Sequence, residues 1–167
     1  MAELTPQERL QPSLLDRLTD EEPSATQEAR NRRVLSLQRL RESVLRDLAW
    51  LLNTTNMGRD ELADEYPHVA RSVLNYGLPD LAGLTTSTID IVEMERLVKR
   101  AILDFEPRIL RNTLQVRAHA ADDQMSHNAL VFEISGELWA QPVPLELFLK
   151  TELDLENGEI TVTEMGR

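Results

Sequence analysis

The chain has 167 residues, enough for one domain with a substantial core and some extensions. Its 29 acidic residues against 18 basic ones give a formal charge of −11, which argues against nonspecific nucleic-acid binding and against docking on anionic lipid. It contains no cysteine, so disulfides, thiolate catalysis and Cys-based zinc sites are excluded.

Residues 1–29 are polar, are interrupted by Pro6, Pro12 and Pro23, and are expected to form an extended arm ahead of a domain over residues 30–167. One apolar island, Leu14-Leu15-Asp16-Arg17-Leu18, lies in the arm. It is either an incidental helical turn or a short docking helix that inserts Leu14, Leu15 and Leu18 into another surface.

From residue 30 to 52 the apolar residues follow a helical period. Val34, Leu37, Leu40, Val44, Leu48 and Leu51 share one stripe, widened by Leu45 and Leu52. Arg32, Arg33, Arg39, Arg41 and Arg46 decorate this helix, offset in part by Glu42 and Asp47. Such a basic stripe can meet an acidic partner or be paired within the fold. Asn53 to Asp60 reads as a loop turning at Met57-Gly58-Arg59. A short helix is expected from Tyr66, with Pro67 in its first turn and Gly77 at its C-cap, followed by a turn-rich connection through Gly83.

A second long helix is predicted from Ser87, as its cap, to Asp104. Its buried stripe is Ile91, Met94, Val98, Ala101, Ile102 and Phe105. Pro107 stops it, because proline lacks a backbone donor and disfavours helix at the residue before it. Glu106 and Arg108 place opposite charges on either side of that corner. The corner is either a plain stop or a fixed polar handle for a partner.

Beyond the corner the period becomes two. Leu114, Val116, Ala118 and Ala120 alternate with Gln115, Arg117 and His119, and a second strand covers residues 130–139. Gly136 within it suggests a bulge or a close backbone approach. Leu145, Leu147, Leu149, Thr151, Leu153 and Leu155 alternate with charged residues and Phe148. Asn157-Gly158 then signals a tight hairpin that returns through Ile160 and Val162. The pattern is α+β: N-terminal helices packed on a C-terminal antiparallel sheet of about three to four strands.

No pattern for catalysis stands out. The six glycines are scattered, which leaves no phosphate loop, and no serine sits in a G-x-S-x-G elbow. His119, Asp122, Asp123 and His127 share one inter-strand loop, but their spacing matches no established ligand set. Glu93, Glu95, Asp104 and Glu106 could supply a glycosidase-like carboxylate pair, as any acidic helix could. No catalytic, cofactor or metal site is therefore expected. The charged outer face of the terminal hairpin suits protection of a sheet edge or controlled strand addition to a partner.

Three segments carry a resemblance: Gln11-Pro12-Ser13-Leu14-Leu15-Asp16-Arg17-Leu18, Ser72-Val73-Leu74-Asn75-Tyr76-Gly77-Leu78-Pro79-Asp80-Leu81, and Glu106-Pro107-Arg108. In this order, from about residue 11 to 163, the chain resembles the TssE family of type VI secretion baseplate subunits, similar to wedge proteins of contractile phage tails. The resemblance implies a compact α+β domain in the baseplate wedge, beside TssF, TssG and TssK, that nucleates the TssB–TssC sheath. It implies partner contacts at Glu106, Pro107 and Arg108, at Leu14, Leu15 and Leu18, and in the terminal sheet at Leu153, Leu155, Ile160 and Val162. Family members have also carried a lysozyme label, so a peptidoglycan-cleaving glycosidase is the alternative. No run approaches the roughly 20 apolar residues of a membrane span, and Met1-Ala2-Glu3 begins no signal peptide. The expected location is cytoplasmic, with the baseplate at the inner face of the inner membrane.

Overall fold

The computed structural model describes residues 13–19, 24, 37–58, 65–82, 89–120, 129–140 and 144–165. The first element is α1, Leu14–Leu18, capped by Ser13, whose Oγ accepts the Asp16 N–H. Helix α2 spans Leu37–Leu52 and buries Leu40, Val44, Leu48, Leu51 and Leu52 of the expected stripe, while Leu45 is half-buried and Leu37, at the first turn, is 46% exposed. Residues 30–36, including the predicted start of this helix and Val34, lie outside the described residues.

The segment after α2 differs in detail from expectation. Instead of one helix running to Gly77, there is a single turn, α3 at Pro67–Ala70, then a 3-10 turn at Val73–Asn75. Ser72 breaks the run: it is extended, and its Oγ accepts the Leu74 N–H. Gly77 is thus no helix cap. It has φ +114, and a Cβ there would strike the Thr54 carbonyl. The bare backbone lets residues 77–78 lie against the loop after α2, with Leu78 N–H donating to Thr54 O at 2.8 Å and Asn56 N–H to Leu78 O at 2.8 Å. Asn75, fully buried, closes the clamp by accepting the Met57 N–H and donating to the Ala70 carbonyl.

Helix α4 spans Ile91–Phe105 and starts at Asp90, whose Oδ1 accepts the Val92 and Glu93 N–H groups. The expected cap, Ser87, lies outside the described residues. Met94, Val98, Ala101 and Ile102 are buried, and Ile91 and Phe105 are half-buried at the ends of the stripe.

The C-terminal half is a four-stranded antiparallel sheet in the order β1-β2-β3-β4, formed by Gln115–Ala120, Ala129–Leu138, Leu145–Asp154 and Ile160–Glu164. The architecture is α+β. Each strand is hairpin-connected to the next, so the order along the chain is the order in space. Period-two alternation puts Val116, Leu130, Phe132, Ile134, Leu147, Leu149 and Leu153 into the core against the stripes of α2 and α4. Burial of each such leucine contributes about 1.5–3 kcal/mol. Gly136 is paired in register with Leu147, so there is no bulge there. It marks a close approach: a Cβ would sit 3.4 Å from Ile109 Cγ2.

The terminal hairpin is wider than the expected tight turn. Asp154 N–H bonds Glu159 O, and Gly158 N–H reaches back to Asp154 O, leaving residues 155–158 as the loop. Gly158 has φ +75, which suits glycine, while Leu155 is wholly buried and anchors the loop to the core. A two-residue turn cannot send a leucine inward in this way, so the core decides the loop length.

Gly77→Ala should destabilise the fold by more than about 1 kcal/mol, because the methyl meets backbone rather than a flexible side chain. Urea denaturation measures it, and Gly58→Ala is the control: Gly58 has φ +87 but open space around its Cβ, so only the conformational part of the cost should remain.

Candidate functional site

The most concentrated polar arrangement lies where α4 ends. Glu106 caps the helix through its N–H to Ile102 O at 2.8 Å, and Pro107 turns the chain out to solvent. Arg108 then folds back over Glu106. Its backbone N–H donates to Glu106 Oε1 at 3.1 Å, its Nε to the same oxygen at 2.7 Å, and its Nη2 to Oε2. Glu106 is only 4% exposed, so this fork is what makes a buried carboxylate tolerable.

The other edge of the guanidinium faces α2. Nη1 donates to Ser43 Oγ at 3.2 Å and Nη2 to Asp47 Oδ2 at 2.6 Å. Ser43 and Asp47, one helical turn apart, present their oxygens on one face. Burial works against the Arg108 charge, but the bonds and fields of Glu106 and Asp47 outweigh it and raise its pKa further. The backbone is pinned as well: Trp139 N–H donates to Arg108 O at 2.7 Å and Leu110 N–H to Glu137 O at 2.8 Å, tying the corner to the end of β2. Tyr76 packs edge-on against Phe105 with centroids 5.1 Å apart. Burial first, then the negative charges of Asp47 and Glu106, push its phenol pKa up.

The charges continue from the corner to the arm. Asp47 Oδ1 accepts from Arg46 Nε at 3.0 Å and Nη2 at 2.9 Å, and Arg46 Nη1 donates to Asp16 Oδ1 on α1 at 2.6 Å. Glu106, Arg108, Asp47, Arg46 and Asp16 thus alternate in sign along one connected row. Burial alone would raise the Asp16 pKa; the hydrogen bond and charge of Arg46, with the Ser13 bonds, outweigh it and hold the carboxyl below its usual range. Arg46 also lies over the Trp50 ring, 5.2 Å from its centroid.

This row holds α1 by its polar side and leaves its apolar residues outward. Leu14 is 70% exposed, Leu15 43% and Leu18 74%. Of the predicted basic stripe, Arg46 and Arg41 are paired within the fold: Arg41 meets Glu164 at 3.4 Å and the Glu146 carbonyl at 3.1 Å.

The two sheet edges are the remaining feature. Hydrogen-bonded pairs Asp154–Glu159 and Phe148–Met165 fix the alternation of the terminal hairpin. By that alternation the main-chain groups of Ile160, Val162 and Glu164 point away from β3. On the opposite edge the Ala118 N–H points out to α4, where Glu95 Oε1 accepts it at 2.8 Å.

The structure therefore joins two of the three sequence-predicted groups. Glu106 and Arg108 are linked to the leucine arm through Asp47 and Arg46, with Pro107 on the exposed side of the turn. The third group is separate: Leu153, Leu155 and Ile160 are buried in the chain's own core and Val162 is half-buried, so this hairpin offers its backbone edge rather than those side chains. Sequence reasoning missed Asp47 and Asp16 as members of the row, and Ser43 as a partner of Arg108. Their signal was faint: an acid inside a basic helix and another inside a leucine island. Of the candidate metal loop, Asp122, Asp123 and His127 lie outside the described residues, as do Gln11 and Pro12 of the arm. Among the described residues no helix is long and apolar enough to cross a membrane.

A polar-pinned arm, a buried ion-pair corner and a sheet ending in a backbone edge define a small α+β domain with several surfaces suited to assembly. Residues 38–143, well over half of the chain, match the family model described as baseplate wedge protein gp25, and the chain belongs to that family. The match takes in α2, the corner, α4, β1 and β2, while α1 and the β3–β4 hairpin lie outside it. No curated protein and no solved structure gives a significant match.

Arg108→Ala strands the Glu106 carboxylate and should cost about 3 kcal/mol in urea denaturation. Pairing it with Glu106→Leu should recover part of that loss, because the remaining group no longer needs a counter-charge. Asp16 supplies a pH test. Its folded pKa is depressed, so its stabilisation of the docked arm is present above the ordinary carboxylate range and is lost as pH falls through the lower folded value. Trp50 fluorescence, read in a Trp139→Phe background, should show a transition below about pH 4 that Asp16→Asn lacks.

Proposed function

We propose that this protein is a non-enzymatic baseplate subunit of a type VI secretion system, joining the wedge to the contractile sheath and nucleating sheath polymerisation by strand addition. The observation that carries this reading is α1: an ion pair holds its polar side while Leu14, Leu15 and Leu18 remain exposed at one end of the row that begins at Glu106. A helix held by its charges with its leucines outward is shaped to dock. Burying three such side chains against a partner is worth several kcal/mol. In this reading the arm and the Glu106-Pro107-Arg108 corner face the wedge subunits TssF, TssG and TssK, and the open sheet edge receives a strand from the TssB–TssC sheath. A ready-made edge lets polymerisation skip its costly first ring, with main-chain bonds giving affinity and alternating side chains giving register. Family membership in the baseplate wedge proteins supports the assembly role.

The glycosidase alternative gains nothing from the site. Both Glu106 oxygens are engaged by Arg108, and Glu93 is paired with Arg96 at 2.6 Å. Neither carboxyl is set up to protonate a glycosidic oxygen while its partner activates water. A turbidity assay on purified cell walls should show no clearing.

The decisive experiment is imaging of fluorescently tagged sheath in cells lacking the protein, complemented with wild type or with Leu14→Ser/Leu15→Ser/Leu18→Ser. The triple variant should melt like wild type, since those side chains are exposed, yet form no dynamic sheaths. Normal sheaths in the deletion would overturn the nucleator role. Normal sheaths with the triple variant would remove α1 from the interface.

A further inference from the structure

Ile160 stands apart from the other outward-facing residues of β4. Its main-chain groups point away from β3, yet both are satisfied by one side chain. Asn53, just past the end of α2, accepts the Ile160 N–H on Oδ1 at 2.8 Å and donates from Nδ2 to the Ile160 carbonyl at 2.8 Å. The same Nδ2 also bonds Ala49 O at 2.8 Å, which fixes the carboxamide to α2. A carboxamide has the donor and acceptor of a peptide group, so Asn53 takes the position that a residue of an added strand would occupy. Among the described residues, no side chain bonds the next outward main-chain groups, on Val162 and Glu164. Glu95, at the other edge, is acceptor-only and can satisfy just the one N–H of Ala118.

Beside Asn53 the surface opens into a cleft of about 240 Å³ between the loop after α2, residues 78–81 and the hairpin loop. Asp80 and Glu159 line it, and both are exposed. A chain that pairs along β4 and is stopped at Asn53 must leave the sheet there, beside two carboxylates.

We infer that Asn53 is a built-in strand stop: it limits strand addition on β4 to Val162 and Glu164, sets the register of the incoming segment, and turns its end, carrying a basic side chain, toward Asp80 and Glu159. The inference rests on the strand-addition reading and deepens it. The occupant is an extended segment of a partner protein, with an apolar residue beside Val162 and a lysine or arginine at the stopped end. The cleft's acidity and the chain's −11 charge favour that base over an acidic or neutral end. Free of the stop, period-two pairing would allow slippage in steps of two residues.

The test is residue-resolved hydrogen exchange on the full chain, alone and bound to the TssB–TssC pair of its own secretion system. In wild type, Ile160 should exchange slowly in both states, and Val162 and Glu164 should slow at least tenfold on binding. In Asn53→Ala, Ile160 should exchange fast in the free chain and become protected when the sheath pair binds, because the strand now runs one pair further. Asp80→Asn/Glu159→Gln should keep the wild-type protection pattern but weaken binding about tenfold and flatten its salt dependence. Val162→Pro removes one outward N–H and no β3–β4 ladder bond, so it should abolish binding; it keeps the test decisive if Asn53→Ala does not fold.

Absence of binding, binding that leaves Val162 and Glu164 fast, or binding that survives Val162→Pro would overturn strand addition on β4 and the stop with it. Protection of Val162 and Glu164 with Ile160 of Asn53→Ala still fast in the complex would leave strand addition standing and overturn the stop. Unchanged affinity of the charge variant would overturn the basic end. Protection that grows with the chain's own concentration, without sheath protein, would identify a second copy as the occupant and overturn the partner assignment.

Discussion

The grip of Arg108 on Glu106 is the interaction on which the helical layer depends. A carboxylate only 4% exposed is too costly to leave alone, and at this corner its compensation comes from a residue two positions away. Local pairing would make a stiff turn and nothing more. The guanidinium has a second edge, however, and that edge reaches Ser43 and Asp47 across 65 and 61 residues of chain. One planar fork therefore fixes the end of α4, the face of α2 and, through its own backbone, the end of β2. Lysine at position 108 could neutralise Glu106 but could not present two edges to two elements at once.

Because Asp47 has two oxygens, the row does not stop there. One oxygen faces Arg108 and the other faces Arg46, which passes the alternation on to Asp16. Side-chain exposure along this row goes from 4% at Glu106 through 23% at Arg108 and 25% at Asp47 to 35% at Arg46, then falls to 18% at Asp16 on α1. The pair that holds α1, Arg46–Asp16, is only partly exposed and as short as Arg108–Asp47, at 2.6 Å each.

Sequence periodicity reported the apolar architecture well and the polar architecture poorly, for a physical reason. The stripes of α2 and α4 and the alternation of β3 are repeated signals: many residues vote for the same face, and the buried sets follow the expected ones except at Leu37, which the start of α2 leaves exposed. Glu106-Pro107-Arg108 was legible as a corner because proline's constraint is local. Its long-range partners were not, since Ser43 and Asp47 are single residues whose role depends on where α4 lands against α2. The failures at Gly77 and at the terminal hairpin have the same origin. Glycine and Asn-Gly advertise an unusual backbone without saying what it approaches. At Gly77 that neighbour is the Thr54 carbonyl, and at residues 155–158 a buried leucine stretches the loop.

The two sheet edges show how the fold separates stability from assembly. Natural sheets protect their edges with charge, bulges or cover, since an open ladder invites unspecific pairing. Here a side chain is placed on each outer strand, Glu95 from α4 at Ala118 and Asn53 from just past the end of α2 at Ile160. Each of these side chains satisfies one position of its edge. A short open stretch has too few main-chain bonds to recruit arbitrary strands, and its affinity must come from side-chain fit and charge at its ends. On the proposed strand-addition reading, that trade limits which neighbour the edge accepts. Glu95 stands on α4 and Asn53 directly follows α2, helices whose stripes are locked into the core, so the packing that stabilises the domain also fixes where these side chains meet its edges.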